Sequence, residues 1–106
     1  MLAADRNELE ANRVTSNRSL GVAVANYCVA RGIPPEPCAA LDIDPNPDGN
    51  RVVENRVTGN GTDPDLQRLP APVFAVDLAW DTTGTGNCWS RNVAVTTFPA
   101  ALPACS

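Results

Sequence analysis

Hydrophobic positions in this chain fall in short extended runs, and the clearest runs lie between Asn50 and Asn60. Asparagine recurs there at every fifth residue, and the apolar residues Val52 and Val57 each follow an asparagine by two places. Two or three extended residues point one apolar side chain inward before the chain turns, and asparagine tolerates the positive φ that turns often need. The pattern therefore predicts short strands separated by asparagine corners, and its β-branched, asparagine and glycine content disfavours a helix.

The same pattern occurs upstream and, in a shorter form, downstream. The motif Asn-Arg-Val-Thr-x-Asn stands at residues 12–17 and again at residues 55–60, and a partial copy spans residues 87–92. Because the strands of stacked coils lie about 4.8 Å apart, equivalent asparagines would lie above one another and hydrogen-bond in a ladder. The predicted ladder positions are Asn7, Asn12, Asn17, Asn50, Asn55, Asn60, Asn87 and Asn92. A long internal repeat of this kind indicates a solenoid.

These repeats, together with Asp48-Gly49-Asn50, resemble the C-terminal coils of the right-handed parallel β-helix repeat proteins of bacteria. The segments 80–89 and 98–105 are similar to the end of many such proteins. The resemblance implies an all-β fold, a short right-handed parallel β-helix of about three coils with Pro-rich loops and a C-terminal cap. It implies little about activity, because the family includes lyases, hydrolases, epimerases, adhesins and inert stalks.

We expect a single β-helix segment over residues 1–106. Its parts are a first coil at 7–24, a disulfide-stapled loop at 25–40, a second coil with an excursion at 41–86, and a last coil with its cap at 87–106. The proline-rich segment 32–37 excludes a strand or helix interior, and Leu41 and Ile43 should resume an extended strand. The predicted inward positions are Leu9, Val14, Leu20, Val22 and Val24, then Phe74, Val76 and Leu78, and finally Trp89, Ala94 and Phe98.

Four cysteines allow three disulfide connectivities, of which we favour the local bridges Cys28–Cys38 and Cys88–Cys105. A zinc site is the alternative, but it prefers short paired spacings such as Cys-x-x-Cys. Disulfides place the chain in a secreted, periplasmic or cell-surface location. The net charge of −4 disfavours nucleic acid as a partner, and no apolar run is long enough to cross a membrane.

The first coil has no evident cap, so its strand edge should be unpaired. We expect this N-terminal edge to stack on upstream coils that the chain lacks, or on a second copy of the chain. The Pro-rich tail should cover the opposite end.

One segment could bind calcium, although no cofactor is required by the sequence. Asp44, Asn46 and Asp48 are followed by glycine in the pattern Asp-x-Asn-x-Asp-Gly, which opens EF-hand-type loops. The twelfth position of such a loop falls on Asn55 instead of a glutamate. The alternative is an ordinary turn that leads into the ladder.

Two surface features could bind a polysaccharide. Asp77 and Asp81 flank Trp80, although residues four apart on a strand are about 13 Å apart and Asp77 is expected to face solvent. Arg13 and Arg56 occupy outward repeat positions and could bind acidic sugars. Without histidine the chain cannot build a Ser-His-Asp apparatus, and no catalytic residue is predicted.

We therefore expect a non-catalytic structural or surface-binding terminal segment of an exported β-helix repeat protein. The alternative is a carbohydrate-active module, either a polysaccharide lyase or hydrolase or an accessory glycan binder.

Overall fold

A computed structural model of the chain describes residues 2, 4–65, 67 and 72–105. It consists mostly of short strands, with two helices of five residues each. The strands are β1 (Glu8–Glu10), β2 (Arg13–Thr15), β3 (Val22–Val24), β4 (Arg51–Val53), β5 (Arg56–Thr58), β6 (Leu78–Trp80), β7 (Cys88–Ser90), β8 (Val93–Ala94) and β9 (Thr97–Phe98). The helices are α1 (Tyr27–Arg31) and α2 (Pro35–Ala39), and a 3₁₀ turn covers Pro72–Phe74. No helix among the described residues is long and apolar enough to cross a bilayer.

The strands form three parallel sheets of three strands each, in the orders β1-β4-β7, β2-β5-β8 and β3-β6-β9. We call β1–β3 the first layer, β4–β6 the second layer and β7–β9 the third layer. The chain passes through the three sheets in the same order three times. In every sheet the second-layer strand lies between the other two. This arrangement is all-β and compatible with the predicted β-helix.

The register of the sheets places like residues above one another. Leu9 pairs with Val52 and Val52 with Trp89, while Val14, Val57 and Ala94 form a second column. The buried core consists of Val24, Val52, Val57, Leu78 and Trp89, with Leu9, Val14, Val22, Trp80, Ala94 and Leu102 packed against it. The apolar column that the repeat predicts is therefore present, and a buried aliphatic side chain in it contributes about 1.5–3 kcal/mol.

The corners of the layers differ from the prediction in one respect. Positive φ occurs at the residue before each ladder asparagine and not at the asparagine itself. These residues are Arg6, Ala11, Ser16, Gly49, Glu54, Gly59, Gly86 and Arg91. Because the preceding residue makes the turn, the asparagine keeps ordinary backbone geometry and its side chain is free to bond to the next layer.

The loop after β3 is helical where irregular structure was expected. The Asn26 side chain caps α1 by accepting hydrogen bonds from the backbone N–H groups of Cys28 and Val29. In α2, Pro35 and Pro37 both lie in the first turn, where a missing N–H removes no helical hydrogen bond. The proline-rich segment therefore begins a helix. Proline disrupts a helix only beyond its first turn.

Both predicted disulfides, Cys28–Cys38 and Cys88–Cys105, are present. The first bridge joins α1 to α2, and the second holds the tail to β7. Leu41 and Ile43, which were predicted to resume a strand, are exposed and form no strand. They lie with Val29 and Ile33 around a depression beside the helices, and none of the described strands pairs with them.

Four further predictions of inward strand positions are wrong. Leu20 precedes β3 and lines a surface cavity, Phe74 ends the 3₁₀ turn in place of a strand, and Val76 lies in a bend before β6. Phe98 pairs with Ala79, on the opposite face of the sheet from Leu78, and packs edge-on against Phe74 at 5.3 Å between ring centroids. The predicted excursion at 66–72 falls largely outside the described residues.

Candidate functional site: the asparagine ladders

The second-layer asparagines have their side chains fully hydrogen-bonded between the layers on either side. The Oδ1 atom of Asn55 accepts from the backbone N (2.9 Å) and the Nδ2 (3.2 Å) of Asn12. Its Nδ2 donates to the backbone oxygen of Leu9 (2.8 Å) and to Oδ1 of Asn92 (3.1 Å). Both amide hydrogens and both acceptor positions are therefore used, which is the condition for burying an amide without a desolvation penalty.

The corners at Asn50 and Asn60 repeat this arrangement. Oδ1 of Asn50 accepts from Asn7 and Oδ1 of Asn60 accepts from Asn17. Their Nδ2 groups donate back to the first-layer carbonyls of Ala4 and Val14, respectively. All three second-layer asparagines are at most 5% exposed, so the predicted ladder is a set of buried polar columns.

The ladders have a direction. At each corner an asparagine of the earlier layer donates two hydrogen bonds, and the asparagine of the later layer accepts both at one oxygen. The same holds from Asn50 to Asn87 and from Asn55 to Asn92. The asparagine oxygens of the first layer are therefore acceptors at the outer edge of that layer.

Asp77 ends the third ladder, where another asparagine would otherwise stand. Its Oδ1 accepts from the backbone N and the Nδ2 of Asn60, each at 2.9 Å. Its Oδ2 accepts from the backbone N–H groups of Val95 and Thr96, each at 3.2 Å. A carboxylate suits this position because every group around it is a donor, whereas an amide would place its own hydrogens against some of them.

The surroundings of Asp77 also set its acidity. Burial raises the pKa of this carboxyl, but the hydrogen bonds from Asn60, Thr96 and Val95 outweigh burial, so the pKa lies below its ordinary value. The prediction that Asp77 faces solvent is wrong, since the residue is 1% exposed. Alternation with Val76 and Leu78 suggested an outward side chain, but the strand begins only at Leu78.

The other two members of the predicted sugar-binding group are also bound within the fold. Trp80 donates from Nε1 to the backbone oxygen of Thr83 at 2.8 Å, and its ring lies 5.3 Å from that of Trp89. Asp81 accepts through Oδ2 from the backbone N of Asn26 at 2.8 Å and through Oδ1 from Thr83. The carboxylates of Asp77 and Asp81 thus have separate structural partners.

Two of the three predicted calcium ligands lie together. Carboxylate oxygens of Asp44 and Asp48 lie within 4.8 Å of each other and of an oxygen of Asp5. The Oδ1 of Asn46 instead accepts from Nδ2 of Asn26 at 2.9 Å. Asp5 was not foreseen, although its position 43 residues before Asp48 matches the spacing between the first two layers.

Asp48 and Asp5 also have structural roles. Asp48 Oδ1 accepts from the backbone N of Thr85 at 2.8 Å, and Asp5 Oδ1 accepts from the backbone N of Asp48 at 3.1 Å. The group therefore connects all three layers at one corner, and calcium binding there stays a prediction.

Arg13 and Arg56 are paired in register on the outer face of the sheet β2-β5-β8. Neither of them is in an ion pair with a described residue, whereas Arg18 lies 3.1 Å from Asp63 and Arg91 lies 3.0 Å from Glu54. Because the two residues pair in register, their side chains leave the same face of the sheet.

The C-terminal tail covers the edge of β7. The backbone oxygen of Pro103 accepts from the N of Trp89 at 2.7 Å, and the N of Cys105 donates to Oγ of Ser90 at 2.8 Å. Together with the bridge from Cys105 to Cys88, these bonds satisfy groups of the last strand that would otherwise be open.

Comparison of the chain with protein-family models, curated proteins and solved structures finds no match in any of the three.

Proposed function

We propose that this chain is a non-catalytic, structural terminal segment of an exported β-helix repeat protein, and that its three layers are coils of a right-handed helix. The single observation that carries the proposal is the set of asparagine ladders that connects all three layers, in which the second-layer side chains are fully hydrogen-bonded. The polar side chains that are buried hold the layers together and leave few groups for chemistry. The tail and its disulfide give the stack one covered end.

The proposed location outside the cytoplasm is supported by the two disulfides. Each closes a short loop, of 10 and 17 residues, and such bridges persist in oxidising environments. In the chain-entropy picture a bridge of this size adds about 3 kcal/mol of stability. Export is tested by locating the protein in fractionated cells and by titrating free thiols, which should number close to zero in the native protein.

Turnover assays test the proposed absence of catalysis. The protein is incubated with acidic and neutral polysaccharides, with and without calcium, and new reducing ends and unsaturated products are measured over hours. We expect none above the level of a heat-denatured sample. Any product formation that scales with protein concentration would contradict the structural role.

Hydrogen exchange tests the proposed stacking. The amides of β4 and β5 lie between two layers and should exchange at the rate of global unfolding, whereas those of β1 and β2 should exchange much faster. Uniform protection of all three layers would contradict a stack with one open and one covered end.

A second candidate function, binding of an acidic glycan, is favoured by the pair Arg13 and Arg56. The test compares Arg13→Gln/Arg56→Gln with the control Arg18→Gln, because Arg18 already has Asp63 as a partner. If the pair binds a polyuronate, the double variant should lose at least about tenfold in affinity and lose the salt dependence of binding, while the control should keep both. Equal retention by all three proteins on a polyuronate column would exclude this candidate.

A further inference from the structure

The exposed end of the first layer has hydrogen-bond acceptors without donors. Asn7, Asn12 and Asn17 each donate to the second layer, but no described group donates to the Oδ1 of any of them. All three residues are exposed, and β1 and β2 are edge strands. We call this surface, formed by Asn7, Asn12, Asn17 and the outer edges of β1 and β2, the acceptor edge.

The direction of the ladders determines what this edge can bind. Between the layers, two donors from the earlier layer converge on one asparagine oxygen of the later layer, at 2.9–3.1 Å from the backbone N and 2.9–3.4 Å from Nδ2. A segment placed before the first layer must therefore bring donors. We propose that the acceptor edge binds a parallel segment of another polypeptide that carries asparagine at five-residue intervals.

The required spacing follows from the chain's own second layer. The three acceptors of the edge lie at positions 7, 12 and 17, so the partner needs its asparagines at i, i+5 and i+10. Each second-layer Nδ2 also donates to the backbone oxygen three residues before a first-layer asparagine, as Asn55 does to Leu9. In the first layer the Nδ2 groups of Asn7 and Asn12 donate instead to the backbone oxygens of Asp5 and Glu10, and a partner strand in the same register would offer them alternative carbonyls.

The partner must also be apolar two places after its first two asparagines. Leu9 and Val14 occupy those positions in the first layer and are only partly buried, whereas Val52 and Val57 below them are fully buried. An apolar side chain stacked on each would remove their remaining surface from water. The partner is thus an Asn-x-apolar-x-x-Asn-x-apolar-x-x-Asn segment in extended conformation.

A second copy of the chain fits this edge poorly. In a head-to-tail contact the copy would have to donate from Asn87, which is 5% exposed, and from a strand edge where the tail is already bonded. At the third corner it has Asp77, whose oxygens are acceptors. In a head-to-head contact, acceptors would face acceptors.

The path of the chain at its start supports the parallel arrangement. Leu2 forms a parallel bridge with Ala25, directly after β3. This isolated bridge shows that one residue pair next to the third sheet is already formed in the parallel direction.

The inference rests on the proposed structural role, and a peptide experiment tests it on the full chain. The probe is a synthetic peptide with the sequence of residues 48–61, which carries Asn50, Asn55 and Asn60. The matched control has aspartate at these three positions, which removes the Nδ2 donors and places a negative charge against each acceptor. The ¹⁵N-labelled protein is titrated with each peptide to millimolar concentration, and amide shifts and hydrogen exchange are recorded.

We expect shifts and slowed exchange confined to residues 7–17, with binding of the control at least about tenfold weaker, a difference of about 1.4 kcal/mol. No binding at millimolar peptide, equal binding of both peptides, or shifts elsewhere in the chain would overturn the inference. Shifts at residues 7–17 that depend on protein concentration without peptide, with a matching rise in sedimentation coefficient, would also overturn it and assign the edge to a second copy. Failure here leaves the structural role intact, because that role is tested by polysaccharide turnover and by exchange in β4 and β5.

Discussion

The first and second layers contain the same motif, Asn-Arg-Val-Thr-x-Asn, yet its asparagines have different surroundings. Asn12 is exposed and its Oδ1 accepts no bond from a described residue, whereas Asn55 is 1% exposed and has partners above and below. The local sequence cannot account for this difference, since it is nearly identical in the two copies. Position in the stack decides how much each side chain contributes to stability, as expected where a repeat contacts only its neighbours.

The largest expected effect compares the two asparagines directly. Asn55→Ala removes a side chain that serves four groups and leaves them without partners in a buried site, so we expect a loss of about 3 kcal/mol in the free energy of unfolding. Asn12→Ala keeps the backbone N–H that bonds to Asn55, and its corner is open to water, so the expected loss is about 1 kcal/mol. Denaturant titrations of both variants measure the difference, and equal losses would show that burial in the stack does not matter.

Asp77→Asn should have an intermediate effect that depends on pH. At neutral pH the new amide places a donor against donors, and we expect a loss of about 2 kcal/mol. Because the pKa of Asp77 is lower in the folded protein, the carboxylate contributes its stability in full above about pH 4, and this contribution is lost as the pH falls through the folded-state pKa. The difference between wild type and variant should therefore shrink in acid.

Denaturant titrations of both proteins from pH 7 down to the acid limit of folding check this prediction. Asp63→Asn, at an exposed carboxylate that forms an ion pair with Arg18, serves as the control and should change stability by less than about 1 kcal/mol. A pH-independent loss in the Asp77 variant would show that charge plays no part at this corner.

The smallest expected effect exchanges one corner residue between the two layers. Ser16 and Gly59 stand at equivalent corners with φ of 61° and 70°, respectively, and an added Cβ at Gly59 would meet nothing within 4 Å. Only backbone strain therefore distinguishes the two residues. Ser16→Gly should gain about 1 kcal/mol and Gly59→Ser should lose about as much. Thermal melts of the two variants and of the double exchange, which should nearly cancel, measure these changes.

The repeated asparagines made the stacking predictable from the sequence alone. A five-residue period, with an apolar residue two places after the first two asparagines of each repeat, predicts stacked layers, and it correctly places Asn7, Asn50 and Asn87 in one column. Positive φ was expected at the asparagines, because asparagine tolerates it well, but it occurs at the residue before each of them. The better signal was the glycine before Asn50, Asn60 and Asn87.

Other parts of the candidate site could not be predicted from local pattern. The role of Asp77 depends on Asn60 and Thr96, which lie 17 and 19 residues away, and no periodicity connects them. Asp5 joins Asp44 and Asp48 only through the offset between layers. The helix α2 was missed because proline was treated as a breaker, although it stands at the start of the helix.

The complete hydrogen bonding of the second-layer asparagines bears on how stability depends on the number of layers. An added internal layer would be hydrogen-bonded to the layers on both sides. The free-energy cost of the unpaired groups at the two ends of the stack would stay the same. Stability per residue should therefore grow with the number of repeats, and unfolding should become sharper. Three layers, the number that the described residues form, are near the lower limit for a stable stack.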